Sequence, residues 1–101
     1  MSDLERDRLV GLWKLDPEDA AGRRAFGDIT LRFDSDGTLL YTIHLPGRDQ
    51  VMRLIFQMES GFIVTDQPSH PRRERTRYEF KNDGRLVLTF EGNEATYIRI
   101  P

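Results

Sequence analysis

The stretch Gly27-Asp28-Ile29-Thr30-Leu31-Arg32-Phe33-Asp34-Ser35-Asp36-Gly37-Thr38-Leu39-Leu40-Tyr41-Thr42-Ile43-His44-Leu45 decides the architecture. Ile29, Leu31 and Phe33 alternate with Asp28, Thr30 and Arg32, and Leu39, Tyr41, Ile43 and Leu45 resume the same period beyond Ser35-Asp36-Gly37. Successive side chains of a strand point to opposite faces, so a period of two reads as strands with one buried face each. The glycine after Ser35-Asp36 provides the positive-φ position of a hairpin turn, which makes the two strands antiparallel neighbours.

Working outward, the period recurs through most of the chain. Downstream lie Met52, Leu54, Phe56 and Met58, a short run from Phe62 to Val64, and Tyr78 and Phe80 between Arg77 and Glu79. Leu86, Leu88 and Phe90 follow, then Ala95 to Ile100; upstream, Leu9 to Leu15 reads as the first strand. Pro46-Gly47, Ser60-Gly61, Asn82-Asp83-Gly84 and Gly92-Asn93 carry turn chemistry between them. Eight strands joined by sequential hairpins form a meander, and an open meander exposes two edges. The expected fold is therefore an all-β, antiparallel, up-and-down barrel over residues 1–101 as one domain. Two short helices are expected as accessories. Ser2-Asp3-Leu4-Glu5 matches a capping box ahead of the first strand, and Asp16-Pro17-Glu18-Asp19 reads as a second helix start, closed by Gly22 or Gly27.

Composition narrows the function classes. Charged residues make up 32% and hydrophobic ones 38%, too apolar for a disordered chain and without the unbroken run of roughly 20 apolar residues a spanning helix needs. Cysteine is absent, which removes disulfides, thiolate metal sites and thiol nucleophiles. A net charge of −2 gives no general field for nucleic acid or anionic lipid, so neither nucleic acid nor membrane is an expected partner. The alternating charges of Asp3-Leu4-Glu5-Arg6-Asp7-Arg8 do not read as a signal peptide, and the expectation is a cytoplasmic protein.

Gly11-Leu12-Trp13, following a short helix at the start of the first strand, resembles the G-x-W element of lipocalins and related calycin barrels, among which short bacterial lipocalin-like proteins are nearest. The resemblance implies that Trp13 closes one end of the barrel and that Arg99, in Tyr97-Ile98-Arg99, lies across its indole. That pairing is chemically reasonable, because an indole face attracts a guanidinium and the first and last strands of a closed meander are adjacent. The chain is much shorter than typical lipocalins and lacks their Thr-Asp-Tyr element; Thr65-Asp66 lies earlier and is followed by Gln67.

No residues are arranged by sequence for catalysis. There is no G-x-S-x-G, Ser69-His70 have no arranged acid, and the carboxylates are scattered among turns and strand faces. His44 and His70 lack paired metal-ligand spacing, so no metal or cofactor is expected, and His44 is out of phase with Tyr41, Ile43 and Leu45, which places it on the outer face. Arg72, Arg73, Arg75 and Arg77, within six positions, admit two readings: a solvated strand face beside Glu74 and Glu79, or a patch for an anion or acidic partner.

The interior sets the remaining question. Eight strands of about six residues turn roughly 24 side chains inward, a number that can fill a small barrel. The expected inward set includes the aromatics Trp13, Phe33, Tyr41, Phe56, Phe80 and Phe90, with Met52 and Met58 as adaptable linings. If space remains, Trp13, Phe33, Tyr41, Met52, Phe56, Tyr78 and Tyr97 are the expected contacts of a small hydrophobic ligand in a non-enzymatic binding barrel. The alternative is a filled barrel acting as a protein-interaction module or homodimer through Val10, Leu12, Leu40, Val51 and Ile55 on its outer face.

Overall fold

The computed structural model describes residues 3–101, and these form ten elements. Helix α1 (Asp3–Leu9) leads into β1 (Gly11–Leu15), and α2 (Ala20–Phe26) separates it from β2 (Ile29–Phe33). Six further strands follow: β3 (Thr38–Leu45), β4 (Arg48–Glu59), β5 (Phe62–Asp66), β6 (Glu74–Phe80), β7 (Leu86–Phe90) and β8 (Asn93–Ile100). Each strand pairs antiparallel with the next and β8 pairs with β1, so the meander closes into an eight-stranded barrel with no free edge. Closure occurs through Leu12↔Ile100, Trp13↔Arg99, Lys14↔Ile98 and Leu15↔Tyr97.

The alternation read in the sequence is the inside–outside alternation of the barrel. Ile29, Leu31 and Phe33 are buried, as are Leu39, Phe56, Ile63, Leu86, Ala95 and Tyr97. The outward positions Leu12, Val51 and Ile55 are exposed, while Val10 and Leu40 are half-covered.

Local structure departs from expectation at both helices. Leu9 ends α1 instead of starting the first strand, and it is fully buried; the strand begins at Gly11, whose φ of 138° makes the turn out of the helix. The capping box expected at Ser2 lies outside the described residues; the Glu5 carboxylate accepts from the Tyr78 hydroxyl. In the second helix the Asp16-Pro17 start is a turn, held by Glu18 N–H donating to Asp16 Oδ1 at 3.0 Å. The helix is capped by Asp19, whose Oδ1 accepts from the Gly22 amide at 2.9 Å. Gly22 is buried inside α2 against β8, where a Cβ would come within 3.2 Å of the Ala95 Cα, and the chain leaves the helix at Gly27.

Helix α1 seals one end of the barrel, here called the floor. Trp13 Nε1 donates to the Leu9 carbonyl at 2.9 Å in a buried bond. Three guanidinium groups lie over floor aromatics: Arg6 at 5.5 Å from the Phe56 ring centroid, Arg8 at 4.2 Å from Phe80, and Arg99 at 4.3 Å from Trp13. Arg6 also donates to the Ser35 carbonyl at 2.9 Å, and Arg99 donates to the carbonyls of Val10 and Arg8. Phe33 meets Phe56 edge-on at 5.1 Å. The floor is thus dense with rings and closed by cations whose stems cover them.

Candidate functional site

Trp13, Phe56 and Phe80 gather at the floor, and the other end of the interior is hollow. A cavity of about 380 Å³ lies there, lined on its apolar side chiefly by Leu31, Phe33, Leu39, Ile43, Met52, Leu54, Ile63, Leu88, Phe90 and Ala95, with Phe26 of α2 at its edge. Its volume falls within the range of small-molecule sites, roughly 300–1,000 Å³. The sheet supplies the rigid wall, and α2, fastened to β8, supplies part of the rim: Asp19 Oδ2 accepts from the Thr96 amide at 2.8 Å while Oδ1 caps the helix.

Polar groups enter this apolar lining at two depths. Tyr97, 3% exposed, and the half-buried Tyr41 come from β8 and β3, and among the described residues neither hydroxyl has a hydrogen-bond partner. No buried side-chain nitrogen or oxygen of the described residues lacks a partner, so these hydroxyls are not sealed in protein; they open on the cavity. Burial raises the Tyr97 phenol well above its usual range, with the neighbouring Tyr41 and the Asp19 carboxylate adding to the effect. Tyr41 is also raised, first by burial and then by the charge of Glu74. Toward the opening, Thr65, Gln67, Arg72, Glu74 and Thr76 join the lining, and Arg72 Nε meets Glu74 Oε2 at 3.1 Å. The β5–β6 loop presents Arg72 there because its backbone amide donates to Asp66 Oδ1 at 2.8 Å.

Of the residues expected to contact a ligand, Phe33, Tyr41, Met52 and Tyr97 line the cavity. Trp13, Phe56 and Tyr78 do not: Trp13 and Phe56 are built into the floor, and Tyr78 stacks edge-on against Phe80 at 5.7 Å with its hydroxyl held by Glu5. They were expected to touch ligand because they share the inward phase, but phase fixes the face of a strand and not the depth along it.

The arginine run divides in the same way. Arg72 is a cavity residue, whereas Arg73 and Arg75 reach Glu59 on the outer face at 3.8 and 3.5 Å. Arg75 and Arg77 both stack on Phe62, at 4.3 and 5.3 Å from its centroid. Glu74 was expected on the outer face beside them; it faces inward. The signal was present, since Glu74 is in phase with Thr76, Tyr78 and Phe80.

One hydroxyl–imidazole–carboxylate chain went unread. On the outer face Thr30 Oγ1 is 2.6 Å from His44 Nε2, and His44 Nδ1 is 3.0 Å from Asp49 Oδ1. The order is that of a hydrolytic triad. It stands on a continuous sheet, however, where the adjacent amides are committed to the ladders joining β2, β3 and β4, as in the His44 amide bond to Asp28 O at 2.9 Å. It therefore joins strands without an oxyanion site.

Comparison with protein-family models, with curated proteins and with solved structures finds no match for this chain. Among the described residues no helix is long and apolar enough to cross a membrane.

Proposed function

We propose that this barrel is a binding protein for a small, largely hydrophobic molecule, held in the cavity without chemical change, as in the lipocalin-like barrels that its Gly11-Leu12-Trp13 element and eight-stranded order resemble. The observation that supports the reading is the roughly 380 Å³ cavity beside a floor packed with rings. A side chain larger than Ala95 or Thr76 would fill part of that space, so the hollow is not forced by a lack of strand positions. An apolar hollow with a few convergent polar groups is the usual form of a ligand site.

Native mass spectrometry of protein purified from its own host tests this. The wild-type protein is expected to carry a small-molecule adduct, and Thr76→Trp, which directs an indole into the cavity, to carry none while retaining the β-sheet circular dichroism spectrum. Equal uptake of an apolar fluorescent probe by both proteins overturns the proposal.

A second reading is favoured by the outer wall, where Val51 and Ile55 are 57% and 48% exposed on one strand and Leu12 is 36% exposed two strands beyond β3. It is self-association to a homodimer through β1–β4. Sedimentation velocity distinguishes it: a dimer that Val51→Glu converts to monomer supports it, and a monomer at high concentration removes it.

A further inference from the structure

We infer that the molecule bound in the cavity is uncharged and carries an oxygen that hydrogen-bonds with Tyr41 and Tyr97, and that anionic amphiphiles of the same length are rejected. This rests on the binding reading above and names the class of ligand.

Tyr97 carries the inference. It is 97% removed from solvent, it lines the cavity, and its hydroxyl has no protein partner among the described residues. A phenol facing an apolar cavity without a protein partner is less favourable there than a phenylalanine of the same shape, unless the cavity's occupant supplies the hydrogen bond. Tyr41, on β3, repeats the pattern: it lines the same cavity, and its hydroxyl has no protein partner among the described residues. Burial keeps both neutral, and each offers one O–H donor and an acceptor oxygen. Two such groups, from β3 and β8 of one cavity, complement a carbonyl or hydroxyl oxygen.

Charge decides against the alternatives. A carboxylate can accept from two phenols, but its transfer out of water needs a compensating cation. Arg72 is the basic residue in the lining; it stands toward the opening and already pairs with Glu74 at 3.1 Å. Paired with each other, Arg72 and Glu74 leave neither an anionic nor a cationic head an uncompensated partner. Depth and volume agree, since about 380 Å³ accommodates a body of roughly 10–20 non-hydrogen atoms.

The test displaces a neutral naphthalene fluorophore from the full-length protein with three ten-carbon probes: decan-2-one, decanoate and decane. At neutral pH the ketone is expected to bind about tenfold or more tightly than decanoate. Tyr97→Phe is expected to weaken the ketone by about tenfold while leaving decane within about twofold. Decanoate affinity should rise toward that of the ketone as the pH approaches its own carboxyl pKa and the head becomes neutral. Decanoate binding as tightly as the ketone at neutral pH, or an unchanged ketone-to-decane ratio in Tyr97→Phe, overturns the inference but leaves ligand binding intact. Failure of the fluorophore and all three probes to bind overturns both.

Discussion

Arg99 lies across the indole of Trp13, its guanidinium carbon 4.3 Å from the ring centroid, and the two residues face each other in the β1–β8 ladder that closes the barrel. The same guanidinium donates to the carbonyls of Val10 and Arg8, so one side chain joins the last strand, the first strand and the end of α1. Replacement by alanine removes the cation–π contact and leaves the α1–β1 carbonyls without that donor. Arg99→Ala is expected to lower stability by about 1–3 kcal/mol in urea denaturation. Arg99→Lys should recover only part of it, because an ammonium cannot lie flat on the ring and reach both carbonyls. A loss below a few tenths of a kcal/mol would show that the closure does not depend on this side chain.

The two oxygens of Asp19 fasten α2 to the barrel, one to Gly22 N–H and one to Thr96 N–H. Asp19→Ala should cost about 1–3 kcal/mol, from the lost cap and the unpaired strand amide together. Hydrogen exchange should localise the effect, with amides of α2 exchanging faster while those of β3 and β4 hold. Gly22→Ala should also destabilise, despite alanine's higher helix propensity, because its Cβ would crowd the Asp19 carboxylate and the Ala95 backbone.

All three tyrosines hold their protons more tightly than free phenols. Tyr78 is pushed up to about 12 by desolvation, by its hydrogen bond to Glu5 and by the Glu5 charge, and burial raises Tyr41 and Tyr97. Each folded value lies above the unfolded value of about 10. Below pH 10 both states carry the proton and the stabilising contribution is complete; from about pH 10 to 12 the unfolded chain releases protons that the folded one retains, and stability falls. Phenolate absorbance should therefore stay near zero through pH 10 in the native protein and rise together with loss of the β-sheet signal. Glu5→Gln should bring one tyrosine to lower pH. A native protein with phenols ionising freely at pH 10 would contradict this.

Phase along β4 has an energetic consequence. Phe56 is 3% exposed and packs edge-on against Phe33, whereas Val51, five residues earlier on β4 and so in the opposite phase, is 57% exposed. Phe56→Ala is expected to cost about 3–5 kcal/mol and Val51→Ala less than about 0.5 kcal/mol. Similar losses at both sites would mean that the outer wall is covered in solution, as the homodimer reading requires.

The candidate site was legible residue by residue only in part. Phe33, Tyr41, Met52 and Tyr97 announced themselves as inward apolar or aromatic positions. Glu74 obeyed the same period, but its charge argued for the outer face, and only the nearby Arg72 and the open mouth make an inward carboxylate tolerable. Thr30, His44 and Asp49 lie on three strands, and their chain exists because the β2–β3 and β3–β4 registers bring them together.

By itself the sequence determined the strands and their order. The period-two runs from Ile29 to Phe33 and from Leu39 to Leu45, with glycine-bearing turns between runs, leave one buried face per strand, and a continuous meander relieves its two edges by joining them. Only the tertiary structure decided that the interior is half full. That depends on how far the strands slide past one another as the barrel closes, and on where each inward ring falls along the axis. With α1 and three arginines drawing Trp13, Phe56 and Phe80 to the floor, volume is left at the opposite end, and two phenols without partners among the described residues stand in it. A pattern of alternation carries direction but no depth, which is why the walls could be read from the chain and the space between them could not.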